Sequence, residues 1–258
     1  MSDAFSIRGS RTLIVGGTAG IGLGVAQHFT TGGAEVIIAG RRSSGSDIAR
    51  EIGARFVTLD LADSRSITEG MQRAAAELGG VIDTLILNAG ITAESGDVAE
   101  LDMNLFRKVF EINLFGVAQA LRDGLRYMRE GGSVIVTSSP AALQLVPGIS
   151  AYAASKAAVN TLVQTAALEL GPSGIRVNAV LPGVVETEMA LNPEELEAEL
   201  AMLSTFTANG KIRQPEDMGP PFQFLASDAG KTCTGSLLAC EDGAMPGFSQ
   251  ILVQKAFS

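Results

Sequence analysis

Short runs of β-branched and other apolar residues alternate with segments of helical periodicity along the whole chain. The apolar runs are nearly continuous, which is typical of strands buried on both faces in a parallel sheet flanked by helices. Strands are predicted at 12–15, 35–39, 55–59, 84–87, 133–137, 175–181 and 237–239. Helices are predicted at about 20–31, 45–53, 64–79, 101–129, 151–170 and 215–227. The pattern predicts an α/β fold, a Rossmann-type doubly wound parallel sheet of about seven strands with helices on both faces.

The chain contains no repeat, linker or low-complexity tract, so residues 1–258 are predicted to form a single domain. The helix at 151–170 is predicted to have Ser150 as its N-cap and to end at Gly171-Pro172. Segment 188–214 departs from the alternation, because it is rich in Met, Leu and Glu and follows the sixth strand. We predict that it covers a site at the carboxyl end of that strand; a solvated surface helix is the alternative.

The composition and the net charge indicate the kind of protein and argue against some kinds of partner. Hydrophobic residues make up 46% of the chain and charged residues 18%, which indicates a globular protein. The formal net charge of -9 argues against nucleic acid and anionic membranes as partners, because phosphates repel such a surface. Cys233 and Cys240 lack disulfide or metal-site spacing and are expected to be reduced thiols. With no secretory signal and no apolar run of about 20 residues, we expect a cytoplasmic location.

A glycine-rich turn lies between the first strand and the first helix. Gly16, Gly20 and Gly22 allow a tight turn and a close approach of the backbone to a pyrophosphate at the helix N-terminus. Thr18, Ala19 and Ile21 complete the turn. The spacing Gly-x-x-x-Gly-x-Gly after a buried strand predicts a dinucleotide site.

The end of the second strand carries Gly40 followed by Arg41 and Arg42. An acidic residue here would bind the ribose hydroxyls of NAD, whereas a guanidinium suits a 2′-phosphate. The sequence therefore favours NADP(H) over NAD(H). The alternative is that both arginines are solvated loop charges.

Polar or small residues also follow other strands at their predicted carboxyl ends, where ligands of such sheets bind. Asp60 and Leu61 are placed to meet the adenine, and Asn88, Ala89 and Gly90 to border the middle of the nucleotide. The residues predicted to hold the nicotinamide end are Pro182, Gly183, Val185 and Thr187.

Tyr152 and Lys156 are four residues apart, so a helix places both on one face. A nearby ammonium favours phenolate and is expected to lower the pKa of Tyr152 from about 10. Tyr152 is therefore a candidate general acid/base. With two tyrosines and five lysines in the chain, a chance pair is the less favoured alternative.

In these motifs and their order, the sequence resembles the short-chain dehydrogenase/reductase family, in its compact single-domain branch, over nearly its whole length. The matching elements are the Gly16/Gly20/Gly22 turn, Asp60, Asn88-Ala89-Gly90, Asn113, Ser139, Tyr152, Lys156, Pro182-Gly183 and Thr187. The resemblance implies hydride transfer between a nicotinamide cofactor and an alcohol or carbonyl compound, without a metal.

The resemblance also implies four catalytic roles. Tyr152 exchanges a proton with the substrate oxygen, which Ser139 hydrogen-bonds. Lys156 lowers the pKa of Tyr152 and binds the nicotinamide ribose. Asn113 holds a water between Lys156 and solvent. The alternative role of Asn113 is a structural hydrogen bond inside a helix. Ser139 is preferred to its neighbour Ser138 because its distance from Tyr152 in the sequence matches the usual family spacing.

Three positions depart from the family pattern. Val15 replaces a threonine whose hydroxyl ties the glycine turn to the Asn88 segment, so a looser turn is expected. Pro140 removes an amide donor next to Ser139 and stiffens the loop. The run 241–243, Glu-Asp-Gly, only partly keeps the usual Asp-Gly-Gly.

The substrate is predicted to be a small hydrophobic or aromatic ketone or secondary alcohol, because the expected walls are aliphatic. They are Ala141, Leu143, Leu145, Val146 and Ile149 on one side and Val184, Met189 and Leu191 on the other, unless several of these belong to the core. The family also implies a homodimer or homotetramer through helices 101–129 and 151–170, whose Ala153, Ala154, Ala157 and Ala158 permit close approach.

Two rival functions belong to other classes. A serine hydrolase would need a histidine as its base. The only histidine of this chain, His28, lies in the first predicted helix, which argues against this function. A sensor or scaffold protein that binds NADP(H) without turnover stays open, since fold alone does not imply function.

Overall fold

Every predicted strand is present, and each pairs in parallel with its neighbours. The computed structural model describes residues 3–92, 96–187 and 196–256. Within them, one seven-stranded sheet has the order β3-β2-β1-β4-β5-β6-β7. The strands are β1 Arg11–Val15, β2 Glu35–Gly40, β3 Arg55–Thr58, β4 Ile82–Leu87, β5 Met128–Thr137, β6 Arg176–Pro182 and β7 Leu237–Cys240.

Helices cover both faces of this sheet, as predicted. They are α1 Gly20–Thr31, α2 Gly45–Glu51, α3 Ser64–Glu77, α4 Met103–Phe110, α5 Val117–Gly124, α6 Ser150–Leu170, α7 Leu196–Leu203, α8 Gly219–Ala226 and α9 Gln250–Ala256. Alternate residues of β1 enter opposite cores, as the two-residue period of a strand requires. Leu13 packs in the core formed with α3, α5 and α6, and Ile14 in the core formed with α1, α2 and α8. The predicted Rossmann-type, doubly wound fold is confirmed.

The helix predicted at about 101–129 is present as helical turns that run without a break from Met103 to Tyr127, but it is not α-helical throughout. Between α4 and α5 lies a π-helical turn, Glu111–Gly116, and after α5 a short 3₁₀ turn precedes β5, which already begins at Met128. The hydrophobic periodicity of the sequence does not distinguish a π turn from an α turn, because a π turn inserts only one extra residue into the helix. The early start of β5 comes from pairing of Met128 with Ile82 across a register shift, a long-range contact without a local apolar signal.

The predicted N-cap of α6 is also wrong by one residue. Ile149 occupies the cap position, and Ser150 is the first helical residue. Gly148, with φ +86°, turns the chain so that the carbonyl of Ile149 accepts the first helical bond, from Ala153 N at 2.9 Å. The opposite end of α6 agrees with the prediction, because the helix ends at Leu170 and Gly171 is its C-cap.

Segment 188–214 is helical in part. α7 continues into a 3₁₀ turn, Ser204–Phe206, whereas residues 188–195, with Met189 and Leu191, lie outside the described part of the chain. The C-terminal helix α9 contacts this 3₁₀ turn. Over the described ranges, no helix combines the length and apolarity needed to cross a bilayer.

Candidate active site

The glycine-rich turn lies at the carboxyl end of β1, where β1 is flanked by β2 on one side and β4 on the other. Sheet order reverses here, and such a switch point opens a crevice for ligands. Gly16 has φ +84°, and a Cβ on it would lie 2.6 Å from the Cα of Ala89. A Cβ on Gly22 would lie 2.0 Å from the carbonyl oxygen of Gly16. The turn therefore packs too tightly for side chains at either glycine.

Ala19 is the N-cap of α1, with extended backbone angles, and its methyl group cannot cap the helix. The amides of the first turn thus lack a side-chain acceptor and suit an anion such as a pyrophosphate. Thr18 is buried and packs against the backbone of Gly40. A Cβ on Gly40 would lie 3.1 Å from the Oγ1 of Thr18. Gly20 (φ +50°) and Ile21 begin the helix. These residues fit the predicted dinucleotide.

Asn88 ties the glycine turn to β4 and β5. Its Nδ2 donates to the carbonyl oxygen of Gly16 at 3.1 Å, and its Oδ1 accepts from Thr137 Oγ1 at 2.9 Å. The backbone amides of Asn88 and Ala89 both donate to the carbonyl oxygen of Val15 at 2.9 Å. Backbone atoms and the Asn88 amide therefore tie the turn to the Asn88 segment without the threonine hydroxyl that Val15 lacks.

The residues predicted for the adenosine end follow β2 and β3. Arg41 and Arg42 are exposed directly after β2. Asp60 Oδ1 accepts from Ala62 N at 3.0 Å and so caps its own turn, and Leu61 is buried. The amide of Leu59 bonds the carbonyl of Gly40 at 3.0 Å, which brings these loops together at one edge of the sheet.

The segment after β6 reaches the glycine turn. A Cβ on Gly20 would lie 3.1 Å from Thr187 Cγ2, so the two positions are neighbours although they are far apart in sequence. Pro182 is the last residue of β6, and a Cβ on Gly183 would lie 2.6 Å from the Cα of Glu241. Val185 is buried and forms a parallel β-bridge with Arg213. We call Val184, Val185, Glu186 and Thr187 the strap.

Tyr152 and Lys156 share one face of α6, with Lys156 Nζ 5.7 Å from the centre of the Tyr152 ring. Burial raises the pKa of Tyr152, and a hydrogen bond with the Ser139 side chain opposes this rise. Burial lowers the pKa of Lys156 to about 8. The expected depression of the Tyr152 pKa is thus wrong for the chain itself, because burial disfavours charge on both partners.

Lys156 Nζ donates to the backbone carbonyl oxygen of Thr137 at 2.8 Å. Ser139 is the serine that reaches Tyr152, whereas Ser138 is buried with its Oγ 3.5 Å from the carbonyl oxygen of Lys156. Ser139 also caps the 3₁₀ turn Pro140–Ala142, where its Oγ accepts from the amide of Ala141 at 3.2 Å. Pro140 takes the first position of this turn, at which a helix needs no amide donor.

Asn113 is fully buried in the π turn. Its Oδ1 accepts from Ile91 N and its Nδ2 donates to Ile91 O, both at 2.8 Å, and Nδ2 also lies 3.2 Å from Ser155 Oγ. A Cβ on Gly90 would meet Asn113 Oδ1 at 3.2 Å and Lys156 Nζ at 3.5 Å, so both side chains lie beneath this glycine. The Asn113 side chain joins the loop after β4 to α6.

Comparisons with known proteins agree with this arrangement. A family model described as "Enoyl-(Acyl carrier protein) reductase" matches residues 16–245. A cis-4-hydroxycyclohexanecarboxylate dehydrogenase of Sinomonas cyclohexanicum is 35% identical over 251 residues, covering 94% of this chain and 98% of that protein.

The chain belongs to the short-chain dehydrogenase/reductase family. Solved structures of relatives share the fold throughout. A short-chain type dehydrogenase/reductase from Mycobacterium marinum has a TM-score of 0.87 at 30% identity, covering 95% of this chain and 99% of its own. A short chain dehydrogenase from Burkholderia cenocepacia J2315, in complex with NADP, has a TM-score of 0.83 at 30% identity, covering 93% and 99%. The chain is thus related to NAD(P)-binding oxidoreductases.

Two residues of this short-chain dehydrogenase/reductase site were missed by sequence reasoning. Thr137 bonds Asn88 through its hydroxyl and Lys156 through its carbonyl. Ser155, fully buried, donates from Oγ to the carbonyl oxygen of Tyr152 at 2.7 Å and meets Asn113. A polar residue at the carboxyl end of a buried strand was the available signal for Thr137.

The predicted substrate walls lie mainly at the surface. Leu143, Leu145 and Val146 are 53%, 77% and 55% exposed, so these three are not core residues. Ala141, Ile149 and Val184 are half-buried. These exposed residues lie in the segment that connects Ser139 to α6, and the 3₁₀ turn Pro140–Ala142 at its start contacts α6.

Proposed function

We propose that this protein is an NADP(H)-dependent oxidoreductase that interconverts a small hydrophobic or aromatic ketone and its secondary alcohol, with Tyr152 as general acid/base. One observation carries the proposal: the side chains of Ser139 and Tyr152 hydrogen-bond each other, and the buried Lys156 ammonium lies 5.7 Å from the centre of the Tyr152 ring. Two side-chain hydroxyls that already meet can both bond a single substrate oxygen. This is the arrangement that carbonyl reduction requires of the protein.

In reduction, the Ser139 hydroxyl donates a hydrogen bond to the carbonyl oxygen, and the Tyr152 hydroxyl transfers its proton there as negative charge develops. The nucleotide, when bound, supplies the hydride. The raised pKa of Tyr152 keeps its proton in place at neutral pH, which suits this acid role. In oxidation the alcohol proton passes to Tyr152, and a charged Lys156 favours the phenolate that accepts it.

Several residues of the crevice would hold NADP(H). The amides at the N-terminus of α1 would bind the pyrophosphate, and Arg41 and Arg42 the 2′-phosphate. Lys156 would bind the nicotinamide ribose. The adenine would meet Asp60 and Leu61, the middle of the nucleotide Asn88, Ala89 and Gly90, and the nicotinamide end Pro182, Gly183, Val185 and Thr187. The NADP complex of the Burkholderia relative supports this choice of nucleotide.

A neutral apolar substrate is favoured by the exposed aliphatic side chains of Leu143, Leu145 and Val146, in the segment between Ser139 and α6. The net charge of -9 gives an acidic acyl-carrier protein little attraction, although the matching family model is described by such a substrate. We place segment 188–214 over this site as its cover. Turnover of neutral cyclic and aromatic ketones faster than carboxylated ones supports this substrate class; the reverse order contradicts it.

The assembly that we infer is a homodimer or homotetramer through α4, α5 and α6. Phe115 in the π turn and Leu168 on α6 are 57% and 82% exposed, and both lie in the helical segments that the family resemblance assigns to the interface. Light scattering after size exclusion tests this: a monomeric mass at micromolar concentration contradicts it.

The deciding experiment measures oxidation and reduction with both nicotinamide cofactors against a panel of apolar ketones and secondary alcohols. The Tyr152→Phe variant is run alongside. We expect turnover with NADP(H) and a loss of at least about 10²-fold in the variant, since general acid catalysis contributes 10²–10⁴-fold. Tight NADPH binding without turnover of any compound would instead favour a sensor or scaffold protein.

A further inference from the structure

Asp242 has an unusual backbone conformation. Among the described residues it is the one non-glycine residue with φ in the left-handed region, at +54°. A side chain costs free energy in this region, and such positions persist where other interactions hold them. It lies in the loop after β7, within the run in which this chain departs from the family pattern.

The Asp242 carboxylate is held by a two-pronged ion pair. Arg213 Nε donates to Oδ2 at 2.8 Å and Arg213 Nη2 to Oδ1 at 2.5 Å. Asn209 Nδ2 adds a bond to Oδ1 at 2.7 Å, and the backbone carbonyl of Asp242 accepts from Ala208 N at 2.8 Å. The Asp242 side chain is 14% exposed and the Arg213 side chain 35%, so this pair is partly shielded from solvent.

The backbone of Arg213 in turn binds the strap. Its amide donates to the carbonyl oxygen of Val184 at 3.2 Å, and its carbonyl accepts from the amide of Glu186 at 2.9 Å. The next residue, Gln214, donates from Nε2 to Glu186 Oε2 at 2.7 Å. The strap ends at Thr187, against Gly20 of the glycine turn. A continuous series of contacts therefore runs from Asp242 through Arg213 and the strap to the nucleotide crevice.

We propose that Asp242 and Arg213 are positioning residues, a latch that holds the strap against the glycine turn and thereby sets the affinity for NADP(H). The inference rests on the proposed function only for the identity of the nucleotide. Without the latch, Arg213 loses its anchor in the loop after β7, and the strap loses its fixed distance from Gly20. Neither residue is assigned contact with the reacting atoms.

The chain contains a matched control for this ion pair. Arg11 donates to Asp83 from Nε at 2.8 Å and from Nη2 at 3.0 Å, and their side chains are 23% and 21% exposed. Both residues lie at the amino ends of their strands, at the edge of the sheet opposite to the crevice. Asp83 also pairs with Arg129 at 2.9 Å, so Asp83→Asn weakens at least as many ionic contacts as the latch variants do, without touching the strap.

The test measures the dissociation constant of NADPH by fluorescence in Asp242→Gly, Asp242→Asn, Arg213→Lys and the control Asp83→Asn. We expect a rise of roughly tenfold in all three latch variants, and less than twofold in the control. Asp242→Gly is the most informative variant, because glycine adopts a φ of +54° without strain. Its melting temperature is expected to stay close to that of the wild type while its affinity falls, which a purely structural role would not produce.

Amide hydrogen exchange gives a readout that does not depend on turnover or nucleotide. Faster exchange at Glu186 and Ala208 in Asp242→Gly is expected, with no change at these amides in Asp83→Asn. Unchanged exchange there, or unchanged NADPH affinity in both Asp242 variants, would overturn the latch. If wild-type protein binds NADPH but turns over no carbonyl compound, the proposed function fails and the latch is still judged by affinity. If it binds no nicotinamide nucleotide, both proposals fail.

Discussion

Lys156 and Thr137 are joined by a 2.8 Å hydrogen bond from the lysine ammonium to the threonine carbonyl. The hydroxyl of the same threonine donates to Asn88, which holds the carbonyl of Gly16. One residue at the end of β5 thus connects the candidate catalytic helix to the candidate nucleotide turn. Thr137 therefore contacts both sides of the crevice, through its hydroxyl on one side and its carbonyl on the other.

Replacing Thr137 by valine keeps the carbonyl and the shape but removes the hydroxyl that orients Asn88. We expect a loss of about 1 kcal/mol in the free energy of unfolding, the usual cost of one buried hydrogen bond. We also expect NADPH affinity to fall about threefold to tenfold, because the Asn88 amide is free to rotate away from Gly16. Denaturant unfolding and fluorescence titration measure the two effects.

Thr84→Val is the matched control for this variant. Thr84 is also a buried threonine of the sheet, and its Oγ1 lies 3.2 Å from Ser10 Oγ at the edge away from the crevice. It should lose similar stability with no change in NADPH affinity. Equal effects of the two valine variants on affinity would contradict the role given to Thr137.

Lys156→Met should stabilise the nucleotide-free protein at neutral pH while abolishing turnover. Burial lowers the Lys156 pKa to about 8, so below that pH the folded protein carries a buried charge at a cost in stability. Between about pH 8 and 10.5 the unfolded chain binds more protons at this residue, so the cost disappears as the pH rises through this window. Allowing for the unsatisfied Thr137 carbonyl, we expect a gain of about 1–2 kcal/mol at pH 7.

Urea unfolding from pH 7 to 10 checks this prediction. The difference between variant and wild type should shrink steadily above pH 8. A difference that is constant with pH would mean that packing, rather than ionisation of Lys156, decides the stability of this position.

Arg41→Ala should weaken NADPH binding roughly tenfold or more and leave NADH binding within about twofold, because a charge-assisted bond to phosphate contributes about 1.5–3 kcal/mol. The Arg50→Ala variant is the control, since Arg50 is an exposed arginine of α2 that pairs with Asp47. Parallel titrations with both nucleotides distinguish the effects. Equal losses for NADPH and NADH would place Arg41 away from the 2′-phosphate.

Gly22→Ala should disrupt the glycine turn, because the new Cβ would lie 2.0 Å from the Gly16 carbonyl oxygen and 2.6 Å from Asn88 Nδ2. We expect a loss of about 2 kcal/mol or more in stability, as for other overpacked positions, and a large loss of NADPH affinity. Gly171→Ala, whose Cβ would have no neighbour within 4 Å, should be close to neutral. Normal NADPH binding by Gly22→Ala would exclude this turn as the pyrophosphate site.

The sequence predicted the architecture well where local signals and burial coincide. The β-branched runs of β1, β2 and β4 locate strands to within two residues, because a central parallel strand is apolar on both faces. The glycine spacing also predicted a tight turn, because at Gly16 and Gly22 this turn requires a residue without a side chain.

Features that depend on distant contacts could not be predicted from local pattern. The π turn around Asn113 accompanies a side chain that bonds both backbone groups of Ile91, and the extra length of β5 depends on pairing with Ile82. The pKa of Tyr152 depends on burial, which a Tyr-x-x-x-Lys spacing does not contain. The latch also has no local signal in the sequence, because Arg213 and Asp242 are brought together only by the fold.

The strand order β3-β2-β1-β4-β5-β6-β7 also bears on how the protein acquires activity during synthesis. β1 is made first, yet it becomes a central strand whose second neighbour, β4, is made only after β2 and β3. Gly20 meets Thr187 only when the sixth strand has left the ribosome. Since such long-range pairing is slow, the crevice matures late, and a nascent chain interrupted before residue 187 would contain the nucleotide turn but not its strap.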